Sequence, residues 1–139
     1  MSVEVKYEVV DRGKEKGFSN AFLVEKAVED WIGIVDLEVD SKFDRVARVA
    51  GLHEAEITVI YYAYRNNLTA LLDDDAARVF TRDLGVEVRG SLGVLVKGLR
   101  EGAISYSKSV EGLDSLSEVM YLSSDIYRLA LKELESKIR

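Results

Sequence analysis

The sequence has no cysteine, no proline and no glutamine, and its single histidine is His53. Without cysteine the chain forms no disulfide, no cysteine-ligated zinc or iron–sulfur site, and offers no thiol nucleophile. One histidine excludes a histidine-rich metal site and leaves His53 as the sole candidate base of a serine triad. No apolar run is long enough to span a membrane, and the charged N-terminus lacks a signal-peptide core, so we expect a cytoplasmic protein.

Acidic residues outnumber basic ones, with 25 Asp and Glu against 19 Lys and Arg and a net charge of −6. This balance argues against an extended basic platform for nucleic acid. It is compatible with a nuclease, because Mg²⁺ and Mn²⁺ sites are built from carboxylate oxygens. A charged content of 32% together with the absence of glutamine is typical of thermophilic proteins.

The pattern of apolar residues predicts a single α/β domain over residues 1–139, since the length fits the roughly 100–200 residues of one domain. Predicted helices cover about residues 19–31, 43–51, 53–64, 76–80, 91–99, 110–121 and 125–138, and predicted strands cover 32–35, 68–72 and 86–88. Strands that alternate with helices predict a parallel sheet. The first ten residues are ambiguous, because Val3, Val5, Tyr7 and Val9 alternate as in a strand while the following residues are polar as in a helix. Trp31 and the seven tyrosines are predicted to be packing residues.

The predicted helix at 53–64 carries one charged residue between Ala55 and Tyr64, which is Glu56. A helix that is apolar on nearly every side is typically buried. A carboxylate on such a helix is costly unless something compensates its charge. Two interpretations stay open: Glu56 has a functional role, or it interacts with the free N–H groups of the first helical turn.

Three consecutive aspartates, Asp73–Asp75, directly follow the second predicted strand. Ligand sites of parallel sheets lie beyond the carboxyl ends of the strands, which places these side chains where a site is expected. The competing interpretation is a helix N-cap, a position for which aspartate is among the preferred residues. Combined with Glu56, the aspartates predict a site for Mg²⁺ or Mn²⁺.

The turn Gly90–Ser91 follows the third predicted strand and opens a helix. Free N–H groups at such a turn can hold a substrate phosphate. The turn lacks the lysine of a phosphate-binding loop, so Ser91 is also interpreted as a plain helix cap.

Three segments together resemble the PIN-domain proteins: Leu52–Ile57 (LHEAEI), Leu71–Arg78 (LLDDDAAR) and Leu84–Leu95 (LGVEVRGSLGVL). The closing segment Tyr121–Tyr127 (YLSSDIY) is similar as well. The likeness is closest to a prokaryotic branch regarded as nucleic-acid-binding and related to the toxins of toxin–antitoxin pairs. It implies a three-layer α/β/α fold with a short parallel sheet and C-terminal helices.

The resemblance also implies a metal-dependent ribonuclease that hydrolyses single-stranded RNA. In such an enzyme, four acidic positions hold Mg²⁺ or Mn²⁺. By motif, the second acid corresponds to Glu8, the third to Glu56 and the fourth to Asp74, with Asp73 as an adjacent candidate. Glu8 then lies at the end of a helix, which overrides the strand interpretation of this segment. An antitoxin protein is an implied partner.

The family's first acid, an Asp at the end of an opening strand, has no match in this sequence. We therefore expect an N-terminally truncated PIN-like sheet with an open edge, and hence a homodimer. Two functions stay open: a metal-dependent ribonuclease, and a catalytically degenerate module that binds RNA or a protein. A receiver-type phosphoacceptor domain ranks last, because Val86–Arg89 offers no lysine at the strand end.

Overall fold

The computed structural model describes residues 1–137, which are largely helical. A π-helical segment, Tyr7–Asp11, joins the first two helices into one continuous helical stretch. The helices are α1 (Val3–Lys6), α2 (Arg12–Glu15), α3 (Ser19–Asp30), α4 (Ser41–Val49), α5 (Glu54–Asn66), α6 (Asp75–Asp83), α7 (Ser91–Arg100), α8 (Tyr106–Val119) and α9 (Ser124–Ser136). The strands are β1 (Ala70–Leu71) and β2 (Val88–Arg89).

The described chain divides into two units. The first comprises Met1–Ala70 and Asp74–Val88, and the second comprises Leu71–Asp73 and the described part of Arg89–Arg139. The organisation of residues 1–139 as a single domain stays a prediction. No helix within residues 1–137 is long and apolar enough to cross a membrane.

The first unit is organised around α5, whose residues Ile57, Ile60 and Ala63 are buried. At the N-terminal end of α1, the Thr58 hydroxyl lies 3.0 Å from the Ser2 hydroxyl, and both residues are buried. Burial of several aliphatic side chains on one helix is the main source of its stability, because an isolated helix of this length is marginal in water.

An aromatic cluster connects three helices of the first unit. The Phe43 ring of α4 lies 5.0 Å from the Tyr61 ring of α5 and 5.9 Å from the Phe80 ring of α6, centroid to centroid. The contact with Phe80 is edge-to-face, an arrangement that the ring quadrupoles favour. The cluster therefore fixes α4 and α6 against the buried helix that carries Glu56.

Helices α2 and α3 approach each other closely at a buried glycine, Gly13. A Cβ atom placed on Gly13 would lie 2.9 Å from the Cβ of Ala21, closer than two carbon atoms can pack. The pair of small residues therefore sets the distance between these helices.

The sheet of the described chain is short. The Ala70 N–H donates to the Glu87 carbonyl at 2.8 Å, and the Leu72 N–H donates to the Arg89 carbonyl at 2.9 Å. Donors two residues apart along β1 and its continuation thus bond to β2 and the residue before it, as in a parallel pair, and the Leu71 N–H points to the opposite edge. A separate parallel bridge joins Ser2 to Val35.

The second unit is a helical assembly in which α7, α8 and α9 pack against one another. Leu113 of α8 and Leu134 of α9 are fully buried. Gly112 lets Leu95 of α7 pack against the α8 backbone, because a Cβ at Gly112 would meet the Leu95 Cδ1 at 2.8 Å.

The α/β class and most helices agree with the sequence-based prediction, with several corrections. The segment after Ser2 is helical, as the resemblance implied, and not a strand. Glu8 lies inside the continuous helical stretch Val3–Glu15, however, and not at the end of a helix. Residues 32–35 form no strand and contribute only the bridge at Val35, so the sheet is smaller than the three predicted strands. Helix α8 begins at Tyr106, earlier than expected, and residue 138 of the last predicted helix lies outside the described residues.

Four of the eight predicted packing residues prove to be exposed, which are Tyr7, Trp31, Tyr64 and Tyr121. The Trp31 side chain is 76% exposed and the Tyr121 side chain is 98% exposed. Trp31 directly follows α3, and Tyr121 lies between α8 and α9, so neither faces the core of its unit. Aromatic composition alone does not distinguish core positions from loop positions.

Candidate functional site

Glu56 lies in the first turn of α5 and is half-buried. Its Oε2 accepts a hydrogen bond of 2.8 Å from the backbone N–H of His53, the residue preceding the helix. A glutamate at this position commonly satisfies one of the backbone donors that the helix leaves free. The geometry therefore gives Glu56 the capping interaction that the sequence left as one of two interpretations.

Asp74 precedes α6 and caps it. Its Oδ1 accepts a hydrogen bond of 2.9 Å from the N–H of Ala77, three residues further along the chain. Asp75, the next residue, occupies the first turn, where its charge is favourable to the helix dipole. The run of aspartates thus starts a helix, as the second interpretation of this run expected.

Asp73 belongs to the second unit and interacts with the start of α7. Its Oδ1 accepts a hydrogen bond of 2.8 Å from the Ser91 backbone N–H, and its Oδ2 accepts one from the Ser91 hydroxyl. Gly90, not Ser91, occupies the cap position of α7. The Ser91 amide already donates to a carboxylate, so a substrate phosphate bound there would have to displace this hydrogen bond. A substrate role of Gly90 and Ser91 stays a prediction.

Glu8 lies on the exposed surface of the π-helical segment. This segment accommodates an extra residue in a helical turn, a feature that is frequent at functional sites. Glu8 makes no side-chain hydrogen bond with the described residues. Among the four predicted ligands, Glu8 is therefore the one whose carboxylate accepts no hydrogen bond from a backbone N–H group of residues 1–137.

The predicted metal ligands do not form a cluster in the described chain. Within residues 1–137, no group of three or more Asp, Glu or His side chains could hold a metal ion. Mg²⁺ and Mn²⁺ require several converging oxygens at about 2.1 Å. The donor set of the described residues therefore does not fit a resident divalent cation, and the assignment of Glu8, Glu56, Asp73 and Asp74 as ligands stays a prediction.

A polar pocket of about 490 Å³ adjoins Glu8 and lies within the first unit. We call it the α2–α3 pocket; its lining residues are Glu8, Val9, Arg12, Gly13, Lys16, Phe18 and Asn20. Sequence reasoning missed this pocket, although the spacing of Glu8, Arg12 and Lys16 by four residues places all three on one side of a helix. Nothing in the sequence indicated that Phe18 and Asn20 would lie beside them.

The fold is that of a mostly helical α/β protein with a short parallel sheet. The predicted metal ligands lie at or near helix starts and on a π-helical turn. A family model described as a PIN domain matches residues 1–136. The chain therefore belongs to the PIN-domain family, which confirms the resemblance. PIN domains have a nuclease-type fold and are generally dependent on divalent metals. No curated protein and no solved structure matches the chain.

Proposed function

We propose that this chain is a PIN-family module that binds single-stranded RNA without hydrolysing it. The observation that supports this proposal most strongly is that two of the predicted metal ligands cap helices. Glu56 and Asp74 each accept a hydrogen bond from a backbone N–H at the start of a helix. A carboxylate that caps a helix stabilises the fold by about 1 kcal/mol, a sufficient reason for its presence without catalysis.

Binding of nucleic acid is supported by family membership and by the composition of the α2–α3 pocket. Two cationic side chains and an exposed aromatic ring line it, which is the combination that many proteins use to bind single-stranded nucleic acid. An amide side chain lines it as well. Because the net charge of −6 argues against an extended basic surface, the proposed contact is local and covers a few nucleotides.

The second candidate is metal-dependent hydrolysis of RNA by Glu8, Glu56 and Asp74, as the family resemblance implies. Family membership favours this candidate, whereas the capping interactions of two of the three residues favour the first. Since the described donor set does not fit a divalent cation, we derive no catalytic step through such an ion.

One experiment separates the two candidates. A fluorescently labelled oligouridylate is titrated with the protein by anisotropy, and the same mixture with millimolar Mn²⁺ is resolved on a denaturing gel. The proposal predicts saturable binding with an intact oligonucleotide. Cleavage that Glu56→Gln abolishes would establish the second candidate, and the absence of binding and of cleavage would contradict both.

We also propose that the chain forms a homodimer. The outer edge of β1 has no strand partner within residues 1–137, and its Leu71 side chain is exposed. Unpaired strand edges with apolar side chains favour pairing with a second chain. Static light scattering at micromolar concentration tests this: the dimer mass supports it, and a clean 15.6 kDa mass contradicts it. An antitoxin partner stays a prediction.

A further inference from the structure

We propose that the α2–α3 pocket binds one nucleotide of single-stranded RNA, with Arg12 and Lys16 on a phosphate and Phe18 against a base. The inference rests on the proposed RNA-binding function and assigns that function to particular residues. The contributing side chains come from the π-helical segment, α2, the turn after it and the start of α3.

Arg12 and Lys16 supply the positive charge. They are separated by one helical turn, both are exposed, and neither side chain has an ion pair or hydrogen bond with the described residues. The neighbouring Lys14 differs, because Glu25 accepts a hydrogen bond from its Nζ at 2.6 Å and thereby raises the pKa of Lys14. Arg12 in α2 and Lys16 directly after it are thus the cations beside the pocket that are available to an external anion.

Phe18 supplies an aromatic surface beside these cations. Its side chain is 57% exposed, and burying an aromatic face against a base removes apolar area from water. The Phe18 backbone N–H donates to the Gly13 carbonyl at 2.9 Å, which holds the residue at the edge of the pocket. Cations next to an exposed aromatic ring are the recurring combination of single-strand recognition.

Asn20 and Glu8 complete the wall with polar groups. The Asn20 amide carries both donors and an acceptor, so it can pair with the edge of a base. The Glu8 carboxylate repels phosphate and accepts hydrogen bonds only, which places the phosphate at the Arg12–Lys16 end of the pocket. A hydroxyl or an amino group of the nucleotide is the complementary partner for Glu8.

The test compares two double variants of equal charge. Arg12→Ala/Lys16→Ala removes the proposed phosphate-binding groups, and Arg45→Ala/Lys42→Ala removes two exposed cations of α4 in the same unit. Binding of a labelled oligouridylate is measured by anisotropy at several salt concentrations. We expect at least tenfold weaker binding for the first variant, and a salt slope smaller by about 0.7 for each phosphate that the variant no longer neutralises.

Variants of Phe18 provide a second, independent test. Stacking of one base contributes about 1–3 kcal/mol, so Phe18→Ala should weaken binding roughly 5- to 150-fold, whereas Phe18→Trp should retain it. Circular dichroism verifies that each variant is folded. Equal affinity and salt slope of the two double variants, with intact binding by the unmodified protein, would overturn the inference and leave the proposed function standing. Failure of the unmodified protein to bind would overturn both.

Discussion

Asp73 and Ser91 are joined by two hydrogen bonds, one from the backbone N–H of Ser91 at 2.8 Å and one from its hydroxyl. The two residues are 18 positions apart, so this contact connects the segment after β1 to the first turn of α7 within the second unit. A carboxylate at the start of a helix is also favourable to its dipole. Asp73 thus has a structural role that needs no metal.

Replacement of Asp73 by alanine should destabilise the protein by about 1 kcal/mol, because the variant cannot form the two hydrogen bonds to this charged but exposed acceptor. Chemical denaturation measures this change. Asp83→Ala removes the same charge from the last position of α6 and should change the free energy of unfolding by no more than about 0.5 kcal/mol. Equal effects of the two variants would argue against the structural role of Asp73.

The capping role of Asp74 predicts different outcomes for two substitutions. Asp74→Ala should lower the stability by about 1 kcal/mol, whereas Asp74→Asn should change it little, because asparagine caps helices about as well as aspartate. Thermal denaturation of both variants without added metal provides the comparison. A similarly large decrease in both variants would indicate that the charge of Asp74, and not its capping bond, matters.

Gly13 should tolerate no larger residue. Gly13→Ala brings a Cβ to 2.9 Å from the Ala21 Cβ, which cannot rotate away, so α2 and α3 must separate. We expect a decrease of roughly 1–3 kcal/mol in the free energy of unfolding. Gly33→Ala is the matched control, because no atom lies within 4 Å of its added Cβ. A neutral Gly13→Ala variant would contradict the close approach of the two helices.

Tyr127 couples α9 to α8 in a pH-dependent manner. Its hydroxyl donates to the Asp114 Oδ1 at 2.5 Å, and this hydrogen bond raises the pKa of Tyr127 above its ordinary value of 10.0. The stabilising effect is therefore present below the ordinary pKa and is lost as pH rises through the folded-state pKa. Asp114→Ala should lower the Tyr127 pKa, which NMR of labelled tyrosine can follow, while Glu118→Ala should not.

The sequence predicted helix positions better than the roles of charged residues. Apolar spacing placed α5, and Asn66–Asn67 correctly ended it, since Asn67 adopts the left-handed conformation that terminates helices. The acids at Glu56 and Asp74 have the same sequence signal as caps and as ligands, because an acidic residue at the start of a helix fits either use. Only the hydrogen bonds of the folded chain distinguish the two.

The α2–α3 pocket could not be predicted for a different reason. Its groups come from the π-helical segment, α2, the turn after α2 and α3, and their proximity depends on the close approach of Gly13 and Ala21. Helical spacing aligns Arg12 with Lys16, but no local pattern brings Phe18 and Asn20 beside them. The distance between two helices is set by packing, which periodicity does not encode.

The most direct test of the central claim, that the acids cap helices and do not hold a cation, is a Mn²⁺ titration followed by electron paramagnetic resonance. The unmodified protein and the double variant Glu56→Gln/Asp74→Asn are compared at neutral pH. We expect no saturable site tighter than millimolar in either protein. Stoichiometric, tight Mn²⁺ binding by the unmodified protein that is absent from the double variant would contradict the claim.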